Sequence, residues 1–107
     1  MNRISEQILT NACQIFSNKF KKIGNLEWQK VRSNIFVAKL LPESCGDIRF
    51  IVKNPRIECK AILNQNRIDF EFFYLWKIKN NSRLQSYLFA KMYYDSITEK
   101  FTKLETL

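Results

Sequence analysis

The chain has 107 residues, 46% of them hydrophobic and 14% aromatic, enough for one packed core and too apolar for wholesale disorder. It carries 18 Lys and Arg against 10 Asp and Glu, a net charge of +8, with no histidine, two glycines and three cysteines. Those counts exclude Ser-His-Asp and Cys-His catalysis, glycine-rich phosphate loops and a four-thiolate metal site.

The first predicted element is an amphipathic helix over 2–23. Leu9, Cys13, Phe16, Phe20 and Ile23 recur at spacings of four and three, with Gln7, Asn11, Gln14 and Asn18 on the other side. Lys19, Lys21 and Lys22 crowd its last turn, where cations suit the negative end of the helix dipole, and Gly24 follows as a stop. Residues 26–41 fit either a helical stripe or a strand. The β-branched and aromatic centre, Ile35-Phe36-Val37, favours strand. Residues 42–47 read as a turn, and 48–53 as a short strand closed by Asn54-Pro55.

The strongest pattern spans 57–78. Ile57, Cys59, Ala61 and Leu63 alternate with polar or exposed positions, and so do Ile68, Phe70, Phe72, Tyr74 and Trp76. A two-residue loop at Gln65-Asn66 sets Leu63 against Ile68, Ala61 against Phe70, Cys59 against Phe72 and Ile57 against Tyr74. Lys60 then falls opposite Glu71, a favourable cross-strand pair. Last, Ser82 with Gln85 forms a capping-box signature. Leu84, Tyr87, Leu88, Tyr94, Ile97, Phe101 and Leu104 trace a stripe that predicts a helix to about residue 103.

The expected architecture is a single α+β domain, residues 1–107. It comprises an N-terminal helix, an antiparallel meander of three or four strands and a C-terminal helix, both helices packed on one sheet face. The other face stays open. If Phe50 and Val52 point inward, Arg49, Ile51 and Lys53 point outward and join Lys60, Ile62, Phe73, Leu75 and Lys77. Cations around an apolar centre suit a protein interface, and an aromatic on a basic sheet also suits stacking of unpaired bases.

The expected function is therefore a small non-enzymatic binding or adaptor subunit acting on a protein partner, with RNA or single-stranded nucleic acid as the alternative. Arg3, Lys19, Lys21 and Lys22 form a second candidate anion patch, read more simply as a solvated helix end. Asp69 and Glu71 share one strand face, but salt-bridged and solvated carboxylates explain them without catalysis. No catalytic residue, metal or cofactor is expected.

Residues 1–53 hold 9 basic and 4 acidic side chains and 54–107 hold 9 and 6, so the charge is spread along the chain. A field of that sign favours anionic partners. The longest apolar run, Phe72 to Trp76, is far short of the roughly 20 residues needed to span a bilayer. Cys13, Cys45 and Cys59, scattered and without a CxxC pair, suit an intracellular, reducing compartment.

Ser5-Glu6-Gln7-Ile8-Leu9-Thr10 followed by Phe16 resembles the start of the small Alu-domain subunit of the signal recognition particle. That family runs helix, three strands, helix, and its sheet binds RNA and a sister subunit. Phe50-Ile51-Val52-Lys53-Asn54-Pro55 and Tyr74-Leu75-Trp76-Lys77 resemble segments of a photosystem II assembly-factor family. Both stretches are short. The first family's glycine and lysine-rich strand signature and the second family's glycines are missing, so the chain is assigned to neither.

Overall fold

Helix α1 runs from Glu6 to Lys19 and buries Leu9, Ala12, Cys13 and Phe16, one stripe at i, i+3, i+4 and i+7. It starts later than the sequence suggests. Ser5 precedes it in extended conformation, Phe20 closes it by donating its N–H to the Phe16 carbonyl, and a 3-10 turn over Lys21–Ile23 carries the chain off the end. Its solvent face is laced by Gln7–Asn11 and Gln14–Asn18 hydrogen bonds of 3.0 Å. This computed structural model describes residues 4–23, 26–40, 52–78 and 83–107. The predicted turn over 42–47 and most of the predicted strand over 48–53 lie outside them.

Strands β1 (Trp28–Arg32), β2 (Ile35–Lys39), β3 (Val52–Asn64), β4 (Arg67–Ile78) and β5 (Leu84–Asp95) pair in sequence order as an antiparallel meander. Two short strands, β6 (Lys100–Phe101) and β7 (Glu105–Thr106), pair back onto the outer edge of β5. The 26–41 segment is extended, as its β-branched centre favours, but Ser33-Asn34 folds it into a hairpin. Asn54-Pro55 does not end a strand. The pair sits in a bulge of β3 between Lys53 and Arg56, with Asn54 at φ 54°, where a missing proline N–H is tolerated.

The β3–β4 hairpin turns at Gln65-Asn66 and has the expected register, Leu63 opposite Ile68 through Ile57 opposite Tyr74, with Lys60 opposite Glu71. Its inner face meets α1. Phe16 stacks on Phe72 with ring centroids 4.4 Å apart, and Trp28 meets Phe16 edge-on while its Nε1 donates to Ser17 Oγ. Leu9, Phe16, Ile57, Cys59, Phe70 and Phe72 are essentially without solvent contact. At roughly 25 cal/mol per Å² of apolar burial, this seam is the main stabilising element.

The predicted C-terminal helix is wrong. Residues 84–95 form β5 and the chain ends in strand and turn, so among the described residues α1 is the one α-helix packed on the sheet. The physical reason lies in β4. Without β5 its twelve residues would leave one row of backbone groups unpaired beside an apolar face, a larger cost than helical propensity can offset. An extra residue, Phe89, bulges out of the β4–β5 register, and its ring joins Ala90 on the helix side against Phe16 and Phe20. Asp95 then stops the strand: its Oδ1 accepts the Ile97 N–H at 2.8 Å, which starts a turn where the helical reading continues.

Candidate docking surface

The face turned away from α1 is built by the alternate residues of β2 to β5, and register arranges them in rows across the strands. Nearest the Gln65-Asn66 tip, Arg67 lies opposite Asp95, which lies opposite Lys100. Further in, Lys60, Glu71, Lys91 and Glu105 follow one another across β3, β4, β5 and β7. Both rows alternate in sign. Between them Ile62, Asp69 and Tyr93 line up; Arg67 Nε reaches Asp69 Oδ1 at 3.1 Å and its guanidinium lies 4.8 Å from the Tyr93 ring centroid. Arg67, Asp69, Glu71, Lys91, Tyr93 and Lys103 help line a groove of about 510 Å³. Except at Lys103, each of these charges has an opposite one at contact distance or in register.

The half nearer Pro55 differs. One row runs Val37, Glu58, Phe73, Leu88, with its three apolar members half-buried. The next runs Lys39, Arg56, Leu75, Ser86, and beyond it Lys53 is registered opposite Lys77. Lys39 is exposed, while Arg56 and Lys77 are half-buried; Arg56 Nη1 donates to the Asn54 carbonyl at 3.3 Å.

Of the residues singled out from sequence, Lys60, Ile62, Phe73, Leu75 and Lys77 share this face, and Ile62 is 39% exposed. Leu75 is only 7% exposed, so it offers no surface to a partner. Arg49 lies outside the described residues. Sequence reasoning missed Val37, Lys39 and Leu88. The first two belong to a segment read as one strand without a known partner, and Leu88 to a segment read as helix. The signal available for β5 was Lys91, which pairs in register with Glu71.

The second candidate patch is not brought together as a site. Lys19 Nζ donates to the Leu104 carbonyl at 2.7 Å, tying the helix end to the C-terminal segment. Lys21 and Lys22 are exposed, and Arg3 lies outside the described residues. Cys13 and Cys59 are buried neighbours across the helix–sheet seam. Burial first, then hydrogen bonding to Cys13 and the charges of Cys13 and Glu58, pushes the Cys59 thiol well above its ordinary range, so it stays protonated. Among the described residues no three of His, Cys, Asp and Glu gather as a metal would need, and no helix is long and apolar enough to cross a membrane.

Comparison with protein-family models, with curated proteins and with solved structures finds no match.

Proposed function

We propose that this chain is a non-enzymatic binding module that docks a protein partner through the sheet face turned away from α1. The observation that carries the reading is the row Val37, Phe73, Leu88, three partly exposed apolar side chains from three strands with Lys39, Arg56 and Lys60 in the neighbouring rows. Apolar centre and polar rim is the anatomy of a protein interface. The carboxylates offer little to chemistry: Asp69 is held by Arg67, and Glu71 is flanked in register by Lys60 and Lys91.

The test is Phe73→Ser with Leu88→Ser, both away from the helix seam. Tagged wild type and variant are compared for proteins co-purified from the native source, with and without nuclease, after thermal melts show both folded. The wild type is expected to retain a nuclease-resistant partner that the variant loses. A folded variant that keeps every partner of the wild type refutes docking at this row. Nucleic-acid binding, which the +8 charge favours, would appear instead as nuclease-sensitive retention falling steeply with salt.

A further inference from the structure

The half of the open face nearest the Gln65-Asn66 tip holds the groove of about 510 Å³, a size within the roughly 300–1,000 Å³ usual for small-molecule sites. Its outer wall is fastened to the sheet. Thr102 Oγ1 accepts the Tyr93 N–H at 3.0 Å and donates to the Tyr93 carbonyl at 3.2 Å, which clips the C-terminal segment to β5. Leu104 is buried in the core, and Lys103 and Glu105 on either side of it line the groove. The other wall carries Asp69 and Glu71, two apart on β4. Between the walls lie Lys91 and the Tyr93 ring, with the Arg67 guanidinium 4.8 Å from the ring centroid. Three acids and three bases thus line one groove. A polyanion is repelled there by Asp69, Glu71 and Glu105, and a simple cation by Arg67, Lys91 and Lys103. A small ligand carrying both signs matches it.

We infer that this groove binds a short free peptide of two or three residues, its ammonium group at Asp69 and Glu71 and its carboxylate at Lys103 and Lys91. The direction follows from the walls. β4 brings two acids, whereas the C-terminal wall brings Lys103, its Glu105 standing in register opposite Lys91. The length follows from strand spacing. β4 and the C-terminal segment flank β5, two spacings or about 9.6 Å apart. An extended peptide advances about 3.3–3.6 Å per residue, so two or three residues bridge the walls, and a side chain between the termini falls on Tyr93, which is 37% exposed. The groove's own pairs leave room for such a ligand, because a carboxylate accepts at about four positions and an ammonium donates three hydrogen bonds. The site is separate from the Val37, Phe73, Leu88 row, and the inference does not rest on docking there.

The experiment titrates the isotope-labelled full chain with the tripeptide Ala-Leu-Ala at low salt and follows backbone amide resonances. Saturable shifts are expected at residues 69–71, 91–93 and 102–105. The N-acetylated and the C-amidated tripeptide should each bind about fivefold more weakly than the free one. Two variants assign the termini. Glu71→Gln should bind the free peptide more weakly and lose most of the distinction between free and N-acetylated forms. Lys103→Gln should lose the distinction between free and amidated forms and keep the other. Should Glu71→Gln fail to fold, the capped peptides on the wild type and Lys103→Gln, at an exposed position, decide the matter. No saturable shift up to about 10 mM peptide would overturn the inference. Capped peptides binding as tightly as the free one would overturn it too, as would Lys103→Gln weakening free and amidated peptides alike. Phe73→Ser/Leu88→Ser should bind the tripeptide as the wild type does. A variant that loses its protein partner and keeps the tripeptide therefore separates the two readings, and loss of the tripeptide in that variant would move the site off the groove and overturn the inference.

Discussion

Replacing Phe16 by alanine is expected to cost about 3–5 kcal/mol, read as a lower denaturant midpoint at unchanged slope. Phe16 has no solvent exposure, stacks on Phe72 at 4.4 Å, and meets Trp28, Phe20 and Phe89 at 4.6 to 5.7 Å. Five rings from α1, β1, β4 and β5 thus share one cluster, and the helix side of that cluster cannot collapse into the gap without lifting α1 off the sheet. The loss is the transfer energy of the ring plus the cavity left beneath the helix. A double-mutant cycle with Phe72→Ala should leave a coupling of about 0.5–1.5 kcal/mol for the stacked pair. Phe20→Ala, at a half-buried position on the helix end, should cost distinctly less.

The second large effect separates strand from helix over residues 84–97. Met92→Ser should destabilise by about 3 kcal/mol or more, and Ile97→Ser by no more than about 0.5 kcal/mol. In the sheet Met92 is 4% exposed opposite Phe70, while Ile97 sits in the turn after β5 at 73% exposure. A C-terminal helix bearing the Leu84 to Leu104 stripe reverses the order, since Ile97 would lie on its buried line and Met92 off it. Equilibrium unfolding of the two variants therefore decides between the conformations without a structure of either.

That reversal also shows where the sequence is legible. The hairpin of β3 and β4 could be read to the residue because the pattern alternates without interruption from Ile57 to Trp76 and a two-residue loop leaves one register that sets Ile57, Cys59 and Ala61 against Tyr74, Phe72 and Phe70. Helix α1 was readable for a similar reason, its stripe unbroken from Leu9 to Ile23. β5 was not, for two physical causes. The extra residue at Phe89 breaks the period of two, so Leu88 and Ala90 lie on opposite faces although their spacing sets them on one. The helical stripe was itself defective: Lys91 falls within it, between Leu88 and Tyr94, and Phe89, Met92 and Tyr93 fall off it. A capping-box signature at Ser82 and Gln85 outweighed those conflicts only because capping is local, whereas the unpaired edge of β4 is a tertiary demand.

The surface was legible in part for the same reason. The residues of β3 and β4 on the open face followed from alternation alone. Their neighbours did not, because placing Lys39 beside Arg56 and Leu88 beside Phe73 needs strand order and the β5 bulge.

Binding through the sheet face turned away from α1 is tested most directly by amide hydrogen exchange of this chain, free and with the partner recovered by co-purification. Protection is expected to rise at Val37, Glu58, Phe73 and Leu88 and around Lys39 and Arg56, while the exposed side of α1 and the Gln65-Asn66 tip stay unchanged. Protection confined to α1 or to the hairpin tip, with the Val37 to Leu88 row exchanging as in the free chain, would contradict it.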